Sequence, residues 1–398
     1  MGEALWGLFR LVAGVEESLA QAFSSSMGAT RCAEEGYDLA IKLGVSPYET
    51  GVFEQPPLVL LKQWSGLTPF AEGGTWNVFV AIVVHYLFEA AGSKSLGRFA
   101  SFLVLAFGQS LGLEEAGILL ALLGSLRGSE SLACIGAAAA TYLSPRTTCL
   151  LAWPLFKIAS LRRKSSVAGL PRARAFLAFL AKIALVWCAL AAASSVFLKT
   201  VLGLGRFGDF GYSQVTAHWL KHSYGQHGAG PDALAPSASL AWYFNVQMFP
   251  EMKKMFGILV SLQPLLLAVP LALELDQPSL CSHLFLAQVL VCNLFRWRYH
   301  LGHFLVETIS VCAFHAVALG GKPSFSMLAS GSLALICVSL LHATRVLWIE
   351  EGVANSNFYW AMAIGFNLAR MAILQSVLVQ ARESLEAKDT RKNEKKEQ

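Results

Sequence analysis

Carboxylates, imidazoles and amides are the side chains here whose spacing could do chemistry. Glu34, Glu35 and Asp38 crowd one polar stretch; an acidic pair that converges on one point can act as general base and hold a divalent metal. Glu34 and Glu35 are adjacent, however, and on a helix would point about 100° apart, a poor geometry for one shared site. Arg296, Arg298, His300 and His303 lie together in FRWRYHLGHF. They could grip a phosphate through charge-assisted hydrogen bonds, but at the edge of an apolar run the expectation is that they snorkel, stems along apolar surface and charged heads in water. Glu307 follows one turn after His303, so a buried His303/Glu307 contact at i, i+4 is expected. Asn355-Ser356-Asn357-Phe358 comes after Glu350-Glu351-Gly352. Asn355 or Ser356 can cap a following helix, and amide donors beside a helix N-terminus also suit an anionic headgroup. No nucleophile elbow, Cys-His signature, Walker loop or zinc spacing accompanies these groups.

The elements that must carry them belong to a bilayer. The chain is 55% hydrophobic and 14% charged over 398 residues, against an apolar share of roughly 45 to 50% in soluble domains. Apolar windows recur from Trp76 to Ala91, through Ala116 to Leu126, Ala175 to Leu204 and Met255 to Leu273, to Leu301 to Leu319, Phe325 to Trp348 and Phe358 to Val379. The expected fold is an all-α polytopic bundle of about eleven spans, some of them too short to cross perpendicularly. Met1 to Phe23 carries Arg10, Glu16 and Glu17 and reads as a first helix, not a signal peptide.

Lys157 to Arg174 holds six basic residues and no acidic one, so the positive-inside rule makes it cytosolic. The polar loops at about 25–56 and 205–236 then fall on the luminal side. Residues 1–381 form one transmembrane domain, and 382–398 a solvated, helix-prone cytosolic tail. The net charge of +5 is spread over loops and gives no sign of nucleic-acid binding. Of eight cysteines, seven lie in or beside apolar runs, where Cys acts as a small hydrophobe. Only Cys32 lies in a luminal loop, and the cysteines indicate neither a disulfide framework nor a zinc site.

Backbone punctuation adds two features. Ser46-Pro47-Tyr48 and Pro56-Pro57 fix φ near −65° and bar a continuous helix, so this loop follows a set path and Pro57 can open the next helix. Trp242-Tyr243-Phe244, with Met248-Phe249-Pro250, forms an aromatic belt of the kind that anchors helix depth. Gln263-Pro264 and Pro270 interrupt the next apolar run, freeing carbonyls that need other partners.

Leu43 to Leu58, LGVSPYETGVFEQPPL, resembles a loop of the GPI-mannosyltransferase superfamily, polytopic GT-C enzymes that use dolichol-phosphate mannose. WYF-x-x-x-MF and VPLAL-x-L within Ser239 to Leu275, and LWI-x-x-G-x-ANSNF within Leu347 to Gln375, resemble the PIG-U family, multispanning subunits of the GPI transamidase. The likeness covers Leu43 to Leu60 and Leu240 to Ser384 and is otherwise hydropathic. It implies a GT-C-like helical bundle in the endoplasmic reticulum membrane that has lost its catalytic carboxylates: Gly28 and Thr30 stand where the acidic pair would fall. It also implies a non-catalytic subunit with no cofactor or metal, which binds glycosylphosphatidylinositol and presents it to a caspase-like catalytic subunit alongside PIG-T-, PIG-S- and Gaa-type subunits. The lipid-binding residues it suggests are Asn355, Ser356, Asn357, Phe358, Trp242, Tyr243, Phe244 and Met248, with Ser46, Pro47, Tyr48 and Pro57 as a structural loop motif. Two departures stand out: FRWRYHLGHF replaces a Tyr-Pro and an Asp, and Phe99 to Leu113 lacks an Asn-Pro. The alternatives are a GPI mannosyltransferase using Glu34, Glu35 or Asp38 and, with less support, a solute transporter, for which the halves show no evident repeat.

Overall fold

Long apolar runs without the period-two alternation of a half-buried strand give helices, and helices carry this structure. The computed structural model describes residues 38–39, 47–48, 56–60, 75–93, 101, 112–145, 149–162, 172–201, 211–225, 236–296, 298–318 and 324–397. In chain order the helices are α1 (Thr75–Ala90), α2 (Leu113–Leu126), α3 (Glu130–Leu143), α4 (Ala152–Arg162), α5 (Arg172–Val196), α6 (Tyr212–Gly225), α7 (Leu240–Gln247), α8 (Pro250–Glu274), α9 (Cys281–Leu294), α10 (Leu301–Ala318), α11 (Phe325–Arg345) and α12 (Ser356–Glu397). No strand occurs among the described residues. The first apolar helix expected at Met1 to Phe23, and Cys32, Glu34 and Glu35, lie outside them.

Four helical stretches are long and apolar enough to cross a membrane: Ala173–Thr200, Glu251–Glu274, Phe325–Glu350 and Ser356–Ala387. Shorter apolar helices, among them Glu130–Leu143 and Leu301–Phe314, accompany them. A helix of 14 residues such as α9 is roughly 21 Å long, less than the roughly 30 Å of a hydrocarbon core. Such helices are too short for a perpendicular crossing by themselves.

Small residues bring α2 and α3 into backbone contact across a tight turn at Gly128 (φ +71°). A Cβ on Gly124 would stand 2.4 Å from the Ala133 nitrogen, and one on Gly136 2.4 Å from the Ala121 nitrogen. Without a hydrophobic drive between helices in lipid, close backbone approach of this kind supplies the packing energy. Val80, Val84, Leu87, Leu119, Leu122, Ala133 and Phe285 fill the core of this half. Trp242, Tyr299, Leu341, Tyr359 and Phe366 fill a second core between α7, α11 and α12.

One end of the bundle carries Arg162 and Arg172 at the α4 and α5 termini, and Lys157 there pairs with Asp276 in the turn after α8. At the opposite end the chain turns inward. Asn367 of α12 donates to the Ala238 carbonyl (2.8 Å), whereas Tyr243 of α7 reaches Asn357 at the start of α12. Between Asn357 and Asn367 α12 descends roughly 15 Å, so the segment 236–247 enters the bundle to that depth and climbs out again as α7. The break between α9 and α10 lies at the same level: Ser239 Oγ donates to the Arg296 carbonyl, and the Tyr299 N–H to Ser237 Oγ (3.0 Å).

α8 runs through Pro264 and Pro270, and Gln288 of α9 donates to its Ala268 carbonyl (3.3 Å). The stretch set apart in sequence at Arg382 continues α12 as helix to Glu397. Pro57 does open a helical turn, its carbonyl accepting from the Leu60 N–H (2.9 Å).

Candidate functional site

The aromatic belt and the Asn-Ser-Asn segment, more than a hundred residues apart in sequence, meet at the end of the bundle away from Arg162 and Arg172. Tyr243 Oη donates to Asn357 Oδ1 (2.6 Å), and the Tyr243 ring stacks on Trp360 at 4.3 Å and 17°. Phe244 meets Trp360 edge-on at 5.8 Å. Trp242 lies buried beneath, against Tyr359 (5.6 Å) and Trp348 (6.1 Å). Offset and edge contacts of this kind add about 0.5–1.5 kcal/mol per pair beyond area burial.

Asn355 Oδ1 accepts from the Asn357 N–H (3.0 Å), the bond an N-cap makes to the second residue of its helix. Asn355 thus caps α12, while the Asn357 side chain is turned to Tyr243. Both asparagines and Phe358 remain exposed, and Ser356 is half-buried. Met248 ends α7, its N–H donating to the Phe244 carbonyl (2.9 Å). The structure thus joins Tyr243 and Phe244 to Asn357 and Trp360, with Trp242 buried beneath; Ser356 and Phe358 flank Asn357 on α12, and Met248 ends α7.

Some 15 Å inward lie two buried polar groups. In the first, Arg370 grips Glu307 with both ends of its guanidinium, Nε to Oε2 at 3.0 Å and Nη2 to Oε1. Its Nη1 donates to Asn367 Oδ1 (2.7 Å), Tyr299 Oη donates to Glu307 Oε2 (3.0 Å), and the guanidinium lies 4.1 Å over the Tyr299 ring. Glu307 is thus not the partner of His303 that the i, i+4 spacing suggested. A bidentate arginine from α12 satisfies both its oxygens, which one imidazole could not. Sequence reasoning passed over Arg370; a lone arginine inside the apolar run Phe358 to Val379 was the available signal.

In the second group, Arg296 pairs with Glu114 of α2 and donates to Asn293 Oδ1 (2.7 Å). Its side chain is 9% exposed, so the expected snorkelling does not occur. A carboxylate 182 residues distant draws the charge inward. His303 Nε2 lies 3.5 Å from Glu115 Oε1, and His300 Nε2 3.6 Å from the same oxygen.

The loop motif makes a third, smaller site. Pro47, Tyr48, Pro56 and Pro57 are buried, and Ser46 lies outside the described residues. Tyr48 meets the rings of His218 (6.1 Å) and His222 (5.9 Å) on α6. Burial, then the nearby Tyr142 hydroxyl, pushes the Tyr48 phenol well above its ordinary range. Burial, then Lys221, holds His222 below the usual imidazole value. Asp38 is half-buried, and its supposed partners Glu34 and Glu35 are not among the described residues.

An all-helical, multi-pass membrane protein with a polar, aromatic rim over a buried layer of ion pairs is the class that this architecture defines. The chain matches the family described as GPI transamidase subunit PIG-U over residues 101–366, and it belongs to that family. Among its relatives, the GPI-anchor transamidase component PIGU of Mus musculus is 24% identical over 144 residues, 36% of this chain and 32% of that protein. The human protein of the same name gives 24% over 144 residues. The GPI transamidase component GAB1 homolog of Schizosaccharomyces pombe gives 26% over 150 residues, 37% of this chain and 36% of that one. The matched stretch spans about a third of the length of these relatives.

Proposed function

We propose that this chain is a non-catalytic subunit of the GPI transamidase in the endoplasmic reticulum membrane, where it holds the GPI lipid at its luminal rim. Its role is to present the lipid's terminal amine to an acyl-enzyme formed on a separate caspase-like subunit, with PIG-T-, PIG-S- and Gaa-type subunits as further partners. Holding the nucleophile in place lowers the barrier by proximity, since translational and rotational entropy is lost on lipid binding and not at the bond-forming step.

The observation that carries this reading is the joining of Tyr243, Trp360 and Asn357 beside the capped N-terminus of α12. Rigid aromatics hold an outward-facing amide at the place where an anionic headgroup would meet the positive end of a helix. The lipid-like surface of α8, with Leu266 and Leu273 strongly exposed, offers acyl chains a path down from that rim. Basic residues at Arg162 and Arg172 support a cytosolic side for the other end, by the positive-inside rule.

The test replaces Asn357 with Ala and Tyr243 with Phe in cells that depend on this chain. GPI attachment is expected to fall with each, while the complex assembles at wild-type yield. Parallel loss of attachment and assembly would reduce the rim to a scaffold. Mannosylation of GPI precursors by the isolated chain would replace the reading with that of a transferase.

A further inference from the structure

Glu115 on α2 and His300 and His303 at the start of α10 converge on one point with no hydrogen bond between the carboxylate and either ring. Their donor atoms all lie within 4.8 Å of each other. No hydrogen bond reaches Glu115 Oε1, His303 Nε2 or His300 Nδ1, all of them buried atoms. Glu115 and His303 are 2% and 3% exposed. Arg296 pairs with Glu114, and the Glu115 carboxylate takes the backbone N–H groups of Gly112 and Glu115, which leaves Oε1 facing the two imidazoles. A buried carboxylate oxygen left without a donor is unfavourable. A single proton could bridge Glu115 to one histidine only; a cation would serve all three.

We propose that Glu115, His300 and His303 form a site for a transition-metal dication of the zinc class, with a fourth position open. The distances fit. Zinc bonds of roughly 2.0–2.1 Å to nitrogen and oxygen make a tetrahedron with edges of roughly 3.3 Å. Glu115 Oε1 stands 3.5 Å from His303 Nε2 and 3.6 Å from His300 Nε2, so contraction by a few tenths of an ångström completes the two edges. Two imidazoles and one carboxylate suit zinc over magnesium or calcium, which take oxygen ligands. Three protein ligands with an open vertex match the pattern of zinc sites that accept water or an exogenous oxygen ligand. Glu114 Oε2, 3.9 Å from His303 Nε2, stands as an outer carboxylate held by Arg296. Ligation through His303 Nε2 places that ring's proton on Nδ1 and gives up the long contact from the His300 N–H (3.3 Å). The cluster lies outside the rim to which the lipid is assigned and does not depend on that assignment.

The test is metal content. The full chain, isolated with its partners in mild detergent and dialysed against metal-free buffer, is expected to retain about one zinc per chain more than H300A or E115Q prepared alongside. Equal content in the three would overturn the proposal. Cobalt(II) added to the wild-type chain should give the intense visible absorption of a tetrahedral ion, weakened in H300A and lost in the H300A/H303A pair. A wild-type preparation that takes up cobalt without that band also overturns it, whatever the folding of the variants.

Discussion

The rim and the inner polar layer use the same kinds of side chain to opposite ends. At the rim, the Asn355 and Asn357 side chains each make one bond, the first within its own turn and the second to Tyr243 of α7, and both stay exposed. Inside, Arg370 has bonds to Glu307 and Asn367 and a ring beneath it, and is 2% exposed. Polar groups with spare capacity at a surface can take a ligand. Polar groups that are buried and mutually satisfied fix which helices sit side by side, because each has no other partner within the bilayer. The Glu115, His300 and His303 cluster belongs to the inner layer by depth and to the rim by its unspent capacity.

Breaking the inner layer should have the largest effect. Arg370→Met leaves Glu307 buried with only Tyr299 to answer it and is expected to cost about 3–5 kcal/mol, read as loss of folded chain in a thermal-stability assay. The double change Arg370→Met with Glu307→Leu should recover much of that loss; failure to recover would mean that the pair does more than balance charge. Next, Gly136→Val drives a side chain into the Ala121 backbone and should cost about 1–3 kcal/mol, visible as reduced yield of monodisperse protein. Asn355→Ala removes a helix cap for about 1 kcal/mol. It should shift the midpoint slightly and lower GPI attachment less than Asn357→Ala does, and the reverse order would exchange the roles given to the two amides.

The smallest effect concerns the loop motif. Packing holds His222 below its free value, so the docked state favours the neutral ring. Its stabilisation is complete above about pH 6.5 and declines as pH falls through that value toward the lower docked one. Hydrogen-exchange protection of α6, corrected for the intrinsic rate, should therefore drop between about pH 7.5 and about pH 5.5, and the drop should be absent in His222→Asn.

Much of the rim was legible in the chain. Asn at a helix start has a local meaning that survives folding, and Asn355 does cap α12; of the aromatic cluster, Trp242 and Tyr359 pack into the core while Phe244 stays exposed. The ion pairs were not legible. Arg296 beside an apolar run reads as a snorkelling cation until Glu114 arrives from another helix, and Glu307 has a nearer histidine than its true partner. An i, i+4 rule ranks neighbours along one helix and is silent about the next.

Composition and hydropathy alone determined that this is a helical membrane protein, because each apolar run must satisfy its backbone internally in lipid. Local residue types determined where its loops bend and where its aromatics anchor. Only the tertiary structure decided which charges neutralise one another, which short helices stop inside the bundle, and that a carboxylate from α2 faces two imidazoles at the entry to α10. Those outcomes depend on which helices become neighbours, and pairing in space is set by the packing of the whole bundle, not by spacing along any one segment.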